Sequence, residues 1–158
     1  MNKKEGISLV ILVITIVVAL ILLSIGIVTI DKNIDNAAVS GFMNDLKDVE
    51  DTAAAYIIEN GSQDFGVYTY TEVLQLVAED AKEDFLNELN LNKDSGAEEF
   101  YIVDLSKIGV QKSTRGHESG GENDVYVLAK DTLHAYYLMG IVVNDIHYFS
   151  VSSKINNL

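Results

Sequence analysis

Between Ile7 and Ile30 lie 24 residues without a charged side chain. Coiled as a helix, such a run rises about 36 Å at 1.5 Å per residue, against about 30 Å for the hydrocarbon core of a bilayer. Its polar members, Ser8, Thr15, Ser24 and Thr29, are small hydroxyls. Each can hydrogen-bond a carbonyl of its own helix, so none costs much in lipid. A chain carrying this segment must place it in a membrane, or in an assembly that replaces one.

Charge is distributed very unevenly around that run. Lys3, Lys4 and Glu5 give a net +1 up to Ile30, so the remaining residues carry −14 of the overall −13. Two lysines before the run and an acidic region after it predict an N-in, C-out orientation at the cytoplasmic membrane. A head this acidic repels phosphate backbones, which excludes nucleic acid as an expected partner. The chain contains no cysteine. Disulfides, thiolate zinc sites and cysteine nucleophiles are therefore excluded, and an exported head must rest on its core, a bound ion or neighbouring subunits. Proline is absent too, so neither helices nor strands are broken by that route.

Beyond Asp31-Lys32-Asn33 the pattern changes from uniformly apolar to amphipathic. Val39, Phe42, Met43, Leu46, Val49, Ala53, Tyr56 and Ile57 recur at three- and four-residue steps, with Asp45, Lys47, Asp48, Glu50 and Asp51 on the opposite face. One helix from about Ile7 to Glu59 would be about 80 Å long, ending at the stop signal Asn60-Gly61. A second helix is predicted over 71–89, introduced by the capping-box spacing of Thr69 and Glu72. Its apolar face is Val73, Leu74, Val77, Ala81, Phe85 and Leu89, and the cluster Glu79, Asp80, Lys82, Glu83 and Asp84 is a solvated face. A polar turn follows over 90–96. The remaining third reads as antiparallel strands at 100–105, 125–129, 133–139, 141–143 and 146–151, with Gly140 separating the third from the fourth. Asn144-Asp145 is a two-residue hairpin turn, and 152–158 carries no strong signal. The predicted class is α+β: a long N-terminal helix, half transmembrane and half amphipathic, packed on a small helical insert and a C-terminal antiparallel sheet.

The sequence offers little catalytic chemistry. No Gly-x-Ser-x-Gly, P-loop or GxGxxG pattern occurs, and no Ser–His–Asp set can be proposed from spacing. No catalytic or cofactor-binding residue is expected, and the chain is read as a non-enzyme. The loop 111–124 is polar and glycine-rich, with Glu118, Glu122 and Asp124 as candidate calcium ligands, although its spacing matches no EF-hand. The competing reading is a solvated loop or a subunit contact. His117, His134 and His147 lack metal-ligand spacing, and the latter two are read as packed or surface-facing strand residues. The tyrosines fall mostly on strands, where core packing and cross-strand pairing account for them.

Gly6 follows two lysines and directly precedes the apolar run. In this respect Lys4-Glu5-Gly6-Ile7-Ser8-Leu9-Val10-Ile11-Leu12-Val13-Ile14-Thr15-Ile16 resembles the prepilin cleavage segment of type IV pilins and pseudopilins. It looks like the variant found in prepilin-like proteins of Gram-positive, clostridia-type bacteria. The resemblance implies a leader at 1–6, a transmembrane and filament-core helix at 7–30, and an extracytoplasmic head at 31–158. It implies cleavage by prepilin peptidase between Gly6 and Ile7, methylation of the new terminus, and assembly with homologous subunits into a type IV pilus or a type II secretion-like pseudopilus. Some pseudopilins brace the region of the 111–124 loop with calcium. Ile11 stands where most members carry a glutamate that neutralises the neighbouring subunit's terminal amine. This departure points to a minor subunit, or to a variant that assembles without that pairing. Val28 stands near where many members have a kinking proline, so a smoother helix is expected. Two other readings stay open on the residues themselves: an uncleaved single-pass surface or binding protein, and a secreted domain cut after Ser24-Ile25-Gly26.

Overall fold

The computed structural model describes the backbone over residues 3–111 and 121–152. It describes side chains over 11–19, 36–111 and 121–152. Two compact units divide the chain, Met1–Ala37 and Ala38–Leu158, and each is taken by itself.

In the first unit the backbone is helical and belongs to α1, Lys3–Asn60. Gly6 and Ile7 fall on this helix, but their side chains, like those of Lys3 and Lys4, lie outside the described residues. Among the described residues no helix is long and apolar enough to cross a membrane. The apolar stretch whose side chains are described here is the nine residues of 11–19, against the roughly 20 that a span requires.

The second unit is built on a five-stranded antiparallel sheet in the order β1-β2-β3-β4-β5. The strands are β1 Gly66–Thr69, β2 Glu99–Val103, β3 Tyr126–Ala129, β4 Ala135–Val143 and β5 Ile146–Ser150. Between β1 and β2 come α2 (Tyr70–Leu76), a 3₁₀ turn at Glu79–Ala81 and α3 (Lys82–Leu91). A short α4, Leu105–Ile108, follows β2. Helices with an antiparallel five-stranded sheet make this an α+β fold.

Helical layers cover both faces of the sheet, and the alternation of side chains along each strand explains why. Tyr101, Val103, Tyr126, Leu128, Tyr137 and Ile141 point to one side and pack on Val39, Phe42, Met43, Leu46, Val49 and Ala53 of α1. Phe100, Val127, Tyr136, Leu138 and Phe149 point to the other and pack on Val73, Val77, Ala81, Phe85 and Leu89. Strand β3 is buried at every residue, as a strand covered on both faces must be. The α1 stripe read from periodicity is therefore the stripe that meets the sheet. Gly61, at φ +81°, ends the helix, its N–H bonding the Ile57 carbonyl at 2.9 Å.

Several local expectations are corrected. The helix read as continuous over 71–89 is interrupted, because Val77 takes an extended conformation. The break keeps Val73, Val77, Ala81, Phe85 and Leu89 all in the core. It also places Glu83 and Asp84 in the first turn of α3, where the helix dipole favours carboxylates. The capping box at Thr69 and Glu72 is present. Strand β1 was not expected. The strand read over 100–105 stops at Val103, since Asp104 turns its side chain onto Ser106 N (3.0 Å) and starts α4 at Leu105. The two strands read on either side of Gly140 are one strand, β4, in which the glycine takes φ +64° within an irregular stretch of register between Tyr136 and Ile141. Asn144 and Asp145 form the hairpin turn with φ of 54° and 61°.

Candidate functional site

Three features of the described residues can carry function: the apolar arm, the cavity lined by Asp64, Asp104 and Asp124, and a polar network under the second helical layer. On the arm, all nine residues from Ile11 to Ala19 are exposed. Ile11 and Leu12 are each 59 % exposed and Val18 is 48 %. Consecutive helical residues step round the axis by about 100°, so nine in succession leave apolar side chains on every side. The one hydroxyl is turned inward, Thr15 Oγ1 donating to the Ile11 carbonyl at 2.8 Å. This segment offers no polar contact to a partner. An exposed apolar surface of this kind marks a site of contact with another protein or with lipid.

The calcium candidates are not brought together. Glu118 lies outside the described residues. Glu122 is exposed, and Asp124 Oδ1 accepts a hydrogen bond from the Tyr137 hydroxyl at 2.7 Å. Asp124 lines a cavity of about 520 Å³ with Asp64 and Asp104. Those two carboxylates have their own partners: Tyr56 OH on Asp64 at 2.6 Å, and Ser106 on Asp104. Hydrogen bonding to Ser106 holds Asp104 below the usual carboxylate range. Among the described residues no group of three His, Cys, Asp or Glu is arranged to hold a metal.

The third feature carries no local sequence signal. Asp94, in the turn after α3, is 2 % exposed. It accepts from Tyr136 OH and Thr132 Oγ1, each at 2.6 Å, and pairs with His134 Nδ1 at 3.0 Å. Asn92 Nδ2 donates to Tyr136 OH at 2.7 Å and to Ser150 Oγ at 3.3 Å. Ser150 Oγ donates to Glu88 Oε2 at 2.7 Å, and Glu88 Oε1 accepts from Phe149 N at 3.1 Å. Two buried carboxylates are thus fully dressed by donors, the condition under which burial is tolerated. Burial, reinforced by the bond to Asp94, pushes the Tyr136 hydroxyl far above the ordinary tyrosine range. His147 makes a similar link nearer the hairpin, its Nδ1 lying 2.8 Å from Asp84 of α3. Both histidines are therefore carboxylate-paired, and His134 sits just before β4 rather than within it.

Beside this network lies a second cavity, of about 240 Å³. It is lined by Glu50 of α1, Asn92, His134, and Ser150, Val151 and Ser152 at the end of β5. All but Val151 are polar, but their convergence spans separations of up to 102 positions, from Glu50 to Ser152. No local pattern signals that.

No family model, curated protein or solved structure matches the chain.

Proposed function

We propose that the chain is a structural subunit of a pilus or pseudopilus-like filament, held first in the cytoplasmic membrane and then assembled through its apolar arm. The observation that carries this reading is the arm itself. Nine successive exposed residues at 11–19 fall inside an uncharged run of 24, on a helix whose later turns supply core residues to an α+β head.

The physical sequence is as follows. The arm rests in lipid with Lys3 and Lys4 at the cytoplasmic face and the acidic head outside. Cleavage after Gly6 removes both lysines, whose charges otherwise hold the arm at that face. Freed, the arm exchanges lipid for the arms of neighbouring subunits, which keep apolar surface from water at about 25 cal/mol per Å². Ile11 gives the arm no carboxylate with which to pair a neighbour's amine, so the reading is of a minor subunit. The head supplies no catalytic group to this scheme.

The test is substitution of Gly6 by a bulky residue, Gly6→Phe, in cells that make the native peptidase. The expected result is an unprocessed chain retained in the membrane and missing from sheared filaments, while the native chain is found in both fractions. Native chain that stays entirely in the membrane fraction, with the same mass as the variant's apart from the substitution, would instead identify an uncleaved surface anchor.

A further inference from the structure

The 240 Å³ cavity differs from its surroundings in the direction of its hydrogen bonding. Every side-chain donor among its described lining residues is already used within the protein. The two amide hydrogens of Asn92 go to Tyr136 OH and Ser150 Oγ. The Ser150 hydroxyl goes to Glu88, and the Ser152 hydroxyl to Asn92 Oδ1. His134 turns Nδ1 to the Asp94 carboxylate, which can only accept, so that nitrogen donates its N–H there. What remains toward the cavity is acceptors. They are Nε2 of His134, the Ser152 oxygen, and the Glu50 carboxylate, whose Oε2 takes one backbone bond from Ala135 N at 2.9 Å. The Ser150 and Ser152 oxygens stand 2.9 Å apart. Lys47 reaches Glu50 Oε1 at 3.0 Å along α1. Val151, the apolar member among the described lining residues, packs against the core.

A site built of acceptors, with a carboxylate at its edge and an apolar wall, suits a ligand that only donates. We propose that this cavity binds a primary ammonium group on an aliphatic stem. The ammonium supplies three N–H donors and a positive charge, and no acceptor that would clash with the wall. The stem lies against Val151. Neither the arm nor filament assembly enters this inference. The same chemistry has two sources, a free alkylamine and the side chain of a partner's lysine, and the test separates them.

The full chain in detergent micelles, at pH 8, is titrated with butylammonium, with N-acetyl-lysine methylamide and with tetramethylammonium, while the amide signal of Ala135 and the ring signals of His134 are followed by NMR. The two primary amines are expected to give saturable shifts with a dissociation constant on the order of 1 mM. Tetramethylammonium, which has the charge but no N–H, is expected to give none. The tighter of the two amines identifies the source. Glu50→Gln keeps an acceptor for Ala135 N–H, so the fold is retained, and it should weaken amine binding about tenfold. Equal response to tetramethylammonium, or no saturable shift at Ala135 and His134, would overturn the assignment.

Discussion

Gly140 takes φ +64° in the middle of β4, and a Cβ there would lie 2.8 Å from the Phe149 ring and 2.9 Å from the Tyr148 carbonyl oxygen. Neither neighbour is a flexible side-chain end. Gly140→Ala should therefore destabilise the head by about 2–3 kcal/mol, read from denaturant unfolding. Tyr136 is the second decisive residue, since its hydroxyl joins Asn92 to buried Asp94. Tyr136→Phe leaves a buried carboxylate short of a donor and should cost about 1–3 kcal/mol. The pH dependence has a definite sign. Burial raises the hydroxyls of Tyr136 and Tyr137 above the ordinary tyrosine value of about 10, so both favour the neutral form when folded. Their contribution is fully present below about pH 10 and is lost as pH rises beyond it. Thermal unfolding followed from pH 8 to 11 should show this alkaline loss, and Tyr136→Phe should flatten it. At this scale the sequence is only partly legible. That His134 and His147 lie beside or on strands could be read from the sequence pattern. Their partners could not, because Asp94 lies 40 residues from His134 and Asp84 lies 63 from His147.

Among the elements, α1 shows how strongly periodicity specifies packing. Its three- and four-residue apolar steps place Phe42, Leu46 and Val49 in the core at no more than 1 % exposure. Phe42 lies against the Tyr137 ring, centroids 6.2 Å apart. Phe42→Ala should cost about 3–5 kcal/mol, whereas Asp48→Ala on the exposed face should stay within about 0.5 kcal/mol. Comparable losses from both would mean that α1 does not dock by this stripe. The helix stop at Gly61, the capping box and the Asn144-Asp145 turn were legible because each is a local device involving at most a few neighbours. The interruption at Val77 was not, since 71–89 contains neither Gly nor Pro and the break is imposed by the sheet's need for five apolar side chains. Strand β1 escaped for a related reason. It has only four residues, and it pairs with β2 across the whole α2–α3 insert. Gly140 was read as a terminator because a strand glycine signals irregularity without saying whether the strand resumes.

For the molecule as a whole, two physical quantities set the account: an uncharged run of 24 residues and a net −14 beyond it. The first requires an apolar surrounding. The second disfavours close contact between like-charged copies of the head. Among the described residues of the second unit, the cavity lined by Glu50, Asn92, His134 and Ser152 is the candidate ligand site. The filament reading stands on the N-terminal segment, where residue pattern outweighs tertiary context because no tertiary contact is needed to make a run of Ile, Val and Leu apolar. Intact-mass and N-terminal analysis of the protein recovered from its native cell tests that reading most directly. The account predicts a chain lacking Met1 to Gly6 and beginning at methylated Ile7. A terminus at Met1 or at Ile27 would contradict it.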